Sequence, residues 1–275
     1  MIITKEAMLQ DFERFLGVIF ALPETVSVQS QGITLERELR PQALREQARA
    51  IVQRSYHDLL SDLDLKVTVR LSPGDPAGPD GYMGLTARYG LTDDACLGIA
   101  RIPENRTLRV VKRNGMRYDL GFEFVLDPAA GFVAAQAAGR APTPDEAAAD
   151  RFWFVQIQAL GKLYRGDYLI SDHLAHVNLN ETLVLQMRQR DARYGTNHHR
   201  YGHREALDYL SHLEKACPYR GEDAAFSRIA HKLYAAALSY DALAGKVHAA
   251  YQARGDLFLS IWADYEQGLT QTAAP

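Results

Sequence analysis

The sequence predicts an α+β protein in two parts: a mixed sheet with flanking helices, then a helical bundle. Three observations lead there. Alternation of apolar and polar residues, the mark of a half-buried strand, is confined to the first half, most clearly at Leu65, Val67, Val69 and Leu71. Asn114-Gly115 stands between two apolar runs, the strongest short-range hairpin signal. Near residue 128 the alternation stops, and DPAAGFVAAQAAGRAPTPDEAAAD leads through Ala, Gly and Pro into helical periodicity. A boundary at about 128–143 follows, with a first domain at 1–135 and a helical domain at 136–275. A chain of 275 residues has room for two domains, and 47% hydrophobic with 24% charged residues is a globular composition.

Taken in order, Met8, Phe12, Phe15, Leu16 and Ile19 form the apolar stripe of an amphipathic first helix. Pro23 breaks it. Val26–Leu35 is rich in β-branched residues and reads as one strand, with Gly32 near its middle or end. Pro41 opens a second helix with Leu44, Ala48, Ile51, Val52, Ser55 and Leu59 along one side. The strand containing Lys66–Leu71 follows, then a Gly- and Pro-dense loop at 72–84. Thr107–Lys112 and Met116–Leu126 are strands joined by Arg113-Asn114-Gly115. In the second half, Thr143-Pro144-Asp145-Glu146 has the cap, proline and acids of a helix start. Helices are expected at 145–164, 167–191, 203–216 and 223–270, the last split near Gly245 or Gly255.

Bulk properties narrow the function classes. A net charge of −3 exerts no global pull on nucleic acid or an anionic membrane, so neither is expected as a partner. Cys96 and Cys217 have no paired spacing, which signals neither a zinc module nor a disulfide framework. The N-terminal apolar stretch carries acids and no cleavage pattern, and no apolar run reaches the length of a membrane span. A soluble cytoplasmic protein is expected; the oligomeric state is not legible.

Ser61-Asp62-Leu63-Asp64-Leu65 carries the chemistry. Side chains two apart on a strand share a face, which puts Asp62 and Asp64 side by side, roughly 7 Å apart along the backbone. Adjacent carboxylates repel unless a cation lies between them. Mg²⁺ takes hard oxygen ligands, often one or two carboxylates plus substrate phosphates. Further acids come from Tyr118-Asp119-Leu120-Gly121-Phe122-Glu123, where Asp119, Gly121 and Glu123 share one face and the aromatics and Leu120 the other. A glycine between two acids lets a substrate approach the backbone closely.

A strand with Ser-Asp-x-Asp-Leu, a later strand with a third acid and a helical second half resemble the nucleotidyltransferase superfamily. The layout is similar to its aminoglycoside- and lincosamide-modifying members. The resemblance implies a polymerase-beta-like fold, Mg²⁺ held by Asp62, Asp64 and Asp119, and ATP or another nucleoside triphosphate as co-substrate. It implies transfer of AMP to a hydroxyl of a small acceptor, with Asp119 or Glu123 taking the proton. Lys162, in Lys162-Leu163-Tyr164-Arg165-Gly166-Asp167, resembles the lysine that reaches the nucleotide phosphates in such enzymes. The family's Gly-Ser phosphate loop has no direct counterpart. Arg54-Ser55 falls inside a helix without glycine, so Ser30-Gln31-Gly32, at the end of the first strand, is the expected equivalent.

Two function classes therefore stand: a transferase, or a degenerate member that binds nucleotide or a partner without turnover. A polycationic acceptor would be drawn by Glu123, Asp167, Asp172 and Glu181. His173 and His176 are three apart on a helix without an evident third ligand, which favours surface roles. The loop at 194–202, with His198 and His199, is a candidate acceptor contact.

Overall fold

The computed structural model describes residues 4–57, 61–71, 88–92, 95–127, 143–195, 212–219, 221 and 223–272. The chain divides into two compact units, Met1–Ala147 with Ala263–Pro275, and Ala148–Trp262. The architecture is mixed α and β, as expected. Among the described residues no helix is long and apolar enough to cross a membrane.

In the first unit, helices α1 (Lys5–Phe20) and α2 (Pro41–Ser55) accompany a six-stranded sheet of β1 (Thr25–Ser30), β2 (Ile33–Glu36), β3 (Leu63–Leu71), β4 (Cys96–Ile102), β5 (Thr107–Lys112) and β6 (Arg117–Leu126). The strand order is β2-β1-β3-β6-β5-β4, and only β3 with β6 runs parallel. Pleating sends alternate side chains to opposite faces. Leu63, Leu65, Val67, Val69 and Leu71 are buried on one face of β3, and Tyr118, Leu120 and Phe122 on the same side of β6. That side meets the stripe of α1: Met8, Phe12, Phe15, Leu16 and Ile19 are all buried, and the rings of Phe15 and Tyr118 lie 4.9 Å apart. A polar tie reinforces the apolar one. Asp11 of α1, 2% exposed, accepts from Lys112 Nζ (2.8 Å), Asn114 Nδ2 (3.0 Å) and the Tyr118 hydroxyl (2.6 Å).

The expected Asn-Gly hairpin is present. Arg113-Asn114-Gly115 turns β5 into β6, with Gly115 at φ +83° and Lys112 N–H donating to Met116 O at 2.8 Å. Two expectations need correction. Val26–Leu35 is not one strand but a hairpin, β1 and β2, turned by Gln31 (φ +50°) and Gly32 (φ +75°). Two successive left-handed residues make the tight turn whose twist matches its flanking strands, and the strand-like composition on both sides hid it. The second correction is β4, which the sequence reading left out. Five successive residues from Cys96 to Ala100 are buried, so the strand shows no alternation to find. The 72–84 loop, most of the expected boundary segment (128–142) and the His198–His199 loop lie outside the described residues.

Gly32→Ala tests the turn. An added Cβ meets nothing within 4 Å among the described residues, so the cost is that of the left-handed backbone, about 1–2 kcal/mol. Urea unfolding measures it; an unchanged midpoint would rule out the conformation.

The second unit is helical. It holds α3 (Pro144–Tyr164) from Ala148 onward, α4 (Tyr168–Tyr194), α5 (Ala224–Val247) and α6 (Gly255–Thr272) as far as Trp262, and the break before Gly255 is where the sequence allowed one. Thr143 and Glu146 form a reciprocal capping box at the start of α3. Asp167 and Asp223 accept from backbone N–H groups at the starts of α4 and α5. Phe152, Trp153, Ile157 and Leu160 of α3 are buried, Phe152 stacked on Tyr240 with ring centroids 3.6 Å apart. Gln156 donates to Leu233 O and accepts from Asn178, a buried polar connection among three helices. Arg254 pairs with Asp150 at 2.8 Å, both almost fully buried.

Candidate active site on the polar sheet face

The side of the sheet opposite the aliphatic core is built from charges. On β3 it presents Asp64, Lys66, Thr68 and Arg70; on β6 it presents Asp119, Gly121 and Glu123. Asp62 precedes the first residue of β3. The parallel register sets Asp64 directly opposite Asp119, and the antiparallel register of β5 sets Arg109 opposite Asp119 on its other side. One row across three central strands thus reads Asp64, Asp119, Arg109. The neighbouring row reads Lys66, Gly121, Thr107, and the next aligns Thr68 with Glu123. Among the described residues, a Cβ on Gly121 would meet only Leu65 O, at 3.9 Å.

Three of the four acids here have a cationic partner, and Asp64 has no ion pair among the described residues. Arg117 Nη2 donates to Asp62 at 3.0 Å, Arg109 Nε lies 3.1 Å from Asp119, and Lys66 Nζ lies 2.8 Å from Glu123. Lys66 and Glu123 are each about half exposed, so their pairing is worth little to stability. The Asp119 side chain is only 19% exposed. Its carboxyl is pushed up from the ordinary 3.8 to about 6, chiefly by burial; Arg109 opposes this, and Asp62 and Asp64 add to it. Asp64 is raised for the same reasons, first by burial and then by Asp62. The three aspartates therefore feel one another through space.

The sequence-based residues separate into groups. Asp62, Asp64, Asp119 and Glu123 are brought onto one face. Ser30 is not with them: alternation along β1 turns it to the buried side with Val28, while Gln29 is exposed opposite Lys66. Its hydroxyl is buried, with no hydrogen-bond partner among the described residues. The Ser30 side chain therefore faces away from the carboxylates, because the first strand ends in a hairpin turn rather than a phosphate loop. Gly32 is that turn. Lys162 belongs to the second unit, near the C-terminus of α3, and lies 3.2 Å from Asp167, which also caps α4. Asp172 pairs with Lys232, and Glu181 with Arg151.

Arg109 and Arg117 are the functional candidates that the sequence reading missed. Both were legible as polar-face residues of a strand, but their partners depend on register.

Among the described residues no group of three or more His, Cys, Asp or Glu side chains is arranged to hold a metal ion. Mg²⁺ does not need such a group when phosphates complete its shell. Asp64 and Asp119, adjacent in register and electrostatically strained, are a donor pair of the right chemistry. No protein-family model and no curated protein matches this chain.

Proposed function

We propose that the chain is a Mg²⁺-dependent nucleotidyltransferase, moving AMP or another nucleoside monophosphate from a nucleoside triphosphate to a hydroxyl of a small acceptor. The first unit would serve as a nucleotidyltransferase-like catalytic domain and the second as a helical bundle. The observation that carries the reading is the Asp64–Asp119 juxtaposition: two acids from strands far apart in sequence, in one register row, with Asp62 near enough to perturb both.

Asp64 and Asp119 would hold the ion, with Asp62 beside them once it leaves Arg117. Bound there, Mg²⁺ offsets the charge that develops on the phosphates in the transition state. In the transfer, the acceptor oxygen bonds to the α-phosphorus as the bond to pyrophosphate breaks, and the hydroxyl proton passes to a carboxylate. Asp119, the carboxylate set beside Asp64 in the register, is the candidate to take that proton. Glu123, further along β6, is the auxiliary base or the contact for a cationic acceptor such as an aminoglycoside. Lys162 is assigned to the phosphates by the resemblance.

A second reading, nucleotide binding without turnover, is favoured by the position of Ser30 and by the absence of a Gly-Ser loop. Pyrophosphate release decides between them. With ATP, Mg²⁺ and a panel of hydroxylated cationic acceptors, the transferase releases pyrophosphate with at least one acceptor, and Asp64→Asn does not. Thermal stabilisation by Mg-ATP without release across the panel supports the second reading. No nucleotide binding at all rejects both.

A further inference from the structure

We propose that Arg109 and Arg117 are the phosphate-binding residues of this site, replacing a Gly-Ser loop, and that they act by exchanging partners. This rests on the nucleotidyltransferase reading above. In the described state each arginine occupies a carboxylate that the reading assigns to the metal: Arg117 holds Asp62, and Arg109 holds Asp119. In that state Asp62 and Asp119 each give one oxygen to a guanidinium, and only Asp64 of the three is without an ion pair among the described residues. An incoming metal–nucleotide complex offers both groups new partners, since it brings a cation for the carboxylates and phosphate oxygens for the guanidiniums. Guanidinium is suited to the exchange, because its planar fork fits phosphate and carboxylate alike.

Charge arithmetic points the same way. Three aspartates and two arginines leave the cluster near neutrality, which attracts neither a free cation nor a free anion strongly. Only the pair, arriving together, finds both sets of partners. Metal and nucleotide affinities are then coupled, and by linkage the coupling is reciprocal. The geometry at Arg109 fits such a change of partner. Its Nε is buried and lies 3.1 Å from the Asp119 carboxylate, but the angle gives it no hydrogen bond. A contact held by charge alone is more readily given up than one fixed by a linear bond. The Arg109 side chain is 36% exposed and reaches the solvent side of the face where phosphates would lie, whereas Arg117 is 9% exposed and lies deeper beside Asp62.

The exchange makes opposite demands on two equilibria, which an arginine with a purely structural role would not. Calorimetric titrations of wild type and variants with Mn²⁺ alone, and with a non-hydrolysable ATP analogue in saturating Mn²⁺, read both without needing turnover. Arg109→Gln is expected to weaken analogue binding about 10-fold or more, the scale of a lost charge-assisted contact. The same variant should tighten binding of Mn²⁺ alone, because Asp119 is left without its counter-charge. Arg117→Lys, which keeps the charge in a more buried position, should weaken the analogue and leave the melting temperature near wild type. In wild type, the analogue should raise the Mn²⁺ affinity. Unchanged analogue affinity in folded Arg109→Gln overturns the proposal while leaving the nucleotidyltransferase reading standing. A parallel fall in both affinities also overturns it, because that marks a structural role. No analogue binding by wild type overturns both readings.

Discussion

Asp119→Asn is expected to abolish transfer and at the same time make the protein harder to unfold. Lifting a carboxyl from 3.8 to about 6 costs its charged form as much as about 3 kcal/mol, at roughly 1.4 kcal/mol per tenfold change in proton affinity. That figure already includes the opposing pull of Arg109. Because the folded state holds the Asp119 proton more tightly than the unfolded state, stability falls as pH rises between 3.8 and about 6, then levels off. An uncharged asparagine removes this penalty. The variant should therefore gain its full advantage above pH 6 and lose it below about pH 4, as followed by urea midpoints across that range. Loss of a general base or metal ligand should lower kcat by roughly 10²–10⁴-fold. A variant that is less stable at pH 7, or one whose kcat matches wild type, would remove Asp119 from the site.

Asp11→Ala should have the largest effect on stability alone. Asp11 binds α1 to the β5–β6 hairpin, and it is the partner of a lysine, an asparagine amide and a tyrosine hydroxyl. Burial of the Tyr118 hydroxyl, and then the charge of Asp11 beside it, hold that hydroxyl well above its ordinary pKa. Breaking a buried pair by removing one member leaves the other charge uncompensated, which typically costs about 3–5 kcal/mol. The double variant Asp11→Ala/Lys112→Met should recover part of that loss, because the stranded ammonium is gone. If the single variant loses less than about 1 kcal/mol, or the second substitution adds to the loss, the Lys112 pair is not what holds the tie.

Periodicity carried much of the fold into view, and where it failed the cause was local. β3 and β6 alternate because one side packs on helices and the other carries charge. β4 is buried at five successive positions and so shows no alternation. The β1–β2 turn was hidden because Gln31-Gly32 lacks the usual Asn or Asp signal. The carboxylates were legible because acids at alternate positions on a strand share a face in any register. The arginines needed one further step that the hairpin itself supplied. A three-residue connection at Arg113-Asn114-Gly115 brings Lys112 alongside Met116, and counting back along both strands sets Arg109 against Asp119. The face on which Ser30 lies depended on finding the turn one residue later. Residue type located the acids; pairing located everything that touches them.

The parallel pairing of β3 with β6 also constrains when the site can exist. Asp64 is synthesised before β4 and β5, but the strand carrying Asp119 follows both. Until β6 is made, β3 has only β1 beside it, and its other edge is open. Closing a long loop costs entropy before any contact rewards it, so this non-local pair forms late and slowly. The antiparallel β5–β6 hairpin, closed by three residues, can form first and present Asp119 already flanked by Arg109. The expected order of folding thus brings the second acid with Arg109 already beside it before the two carboxylates meet.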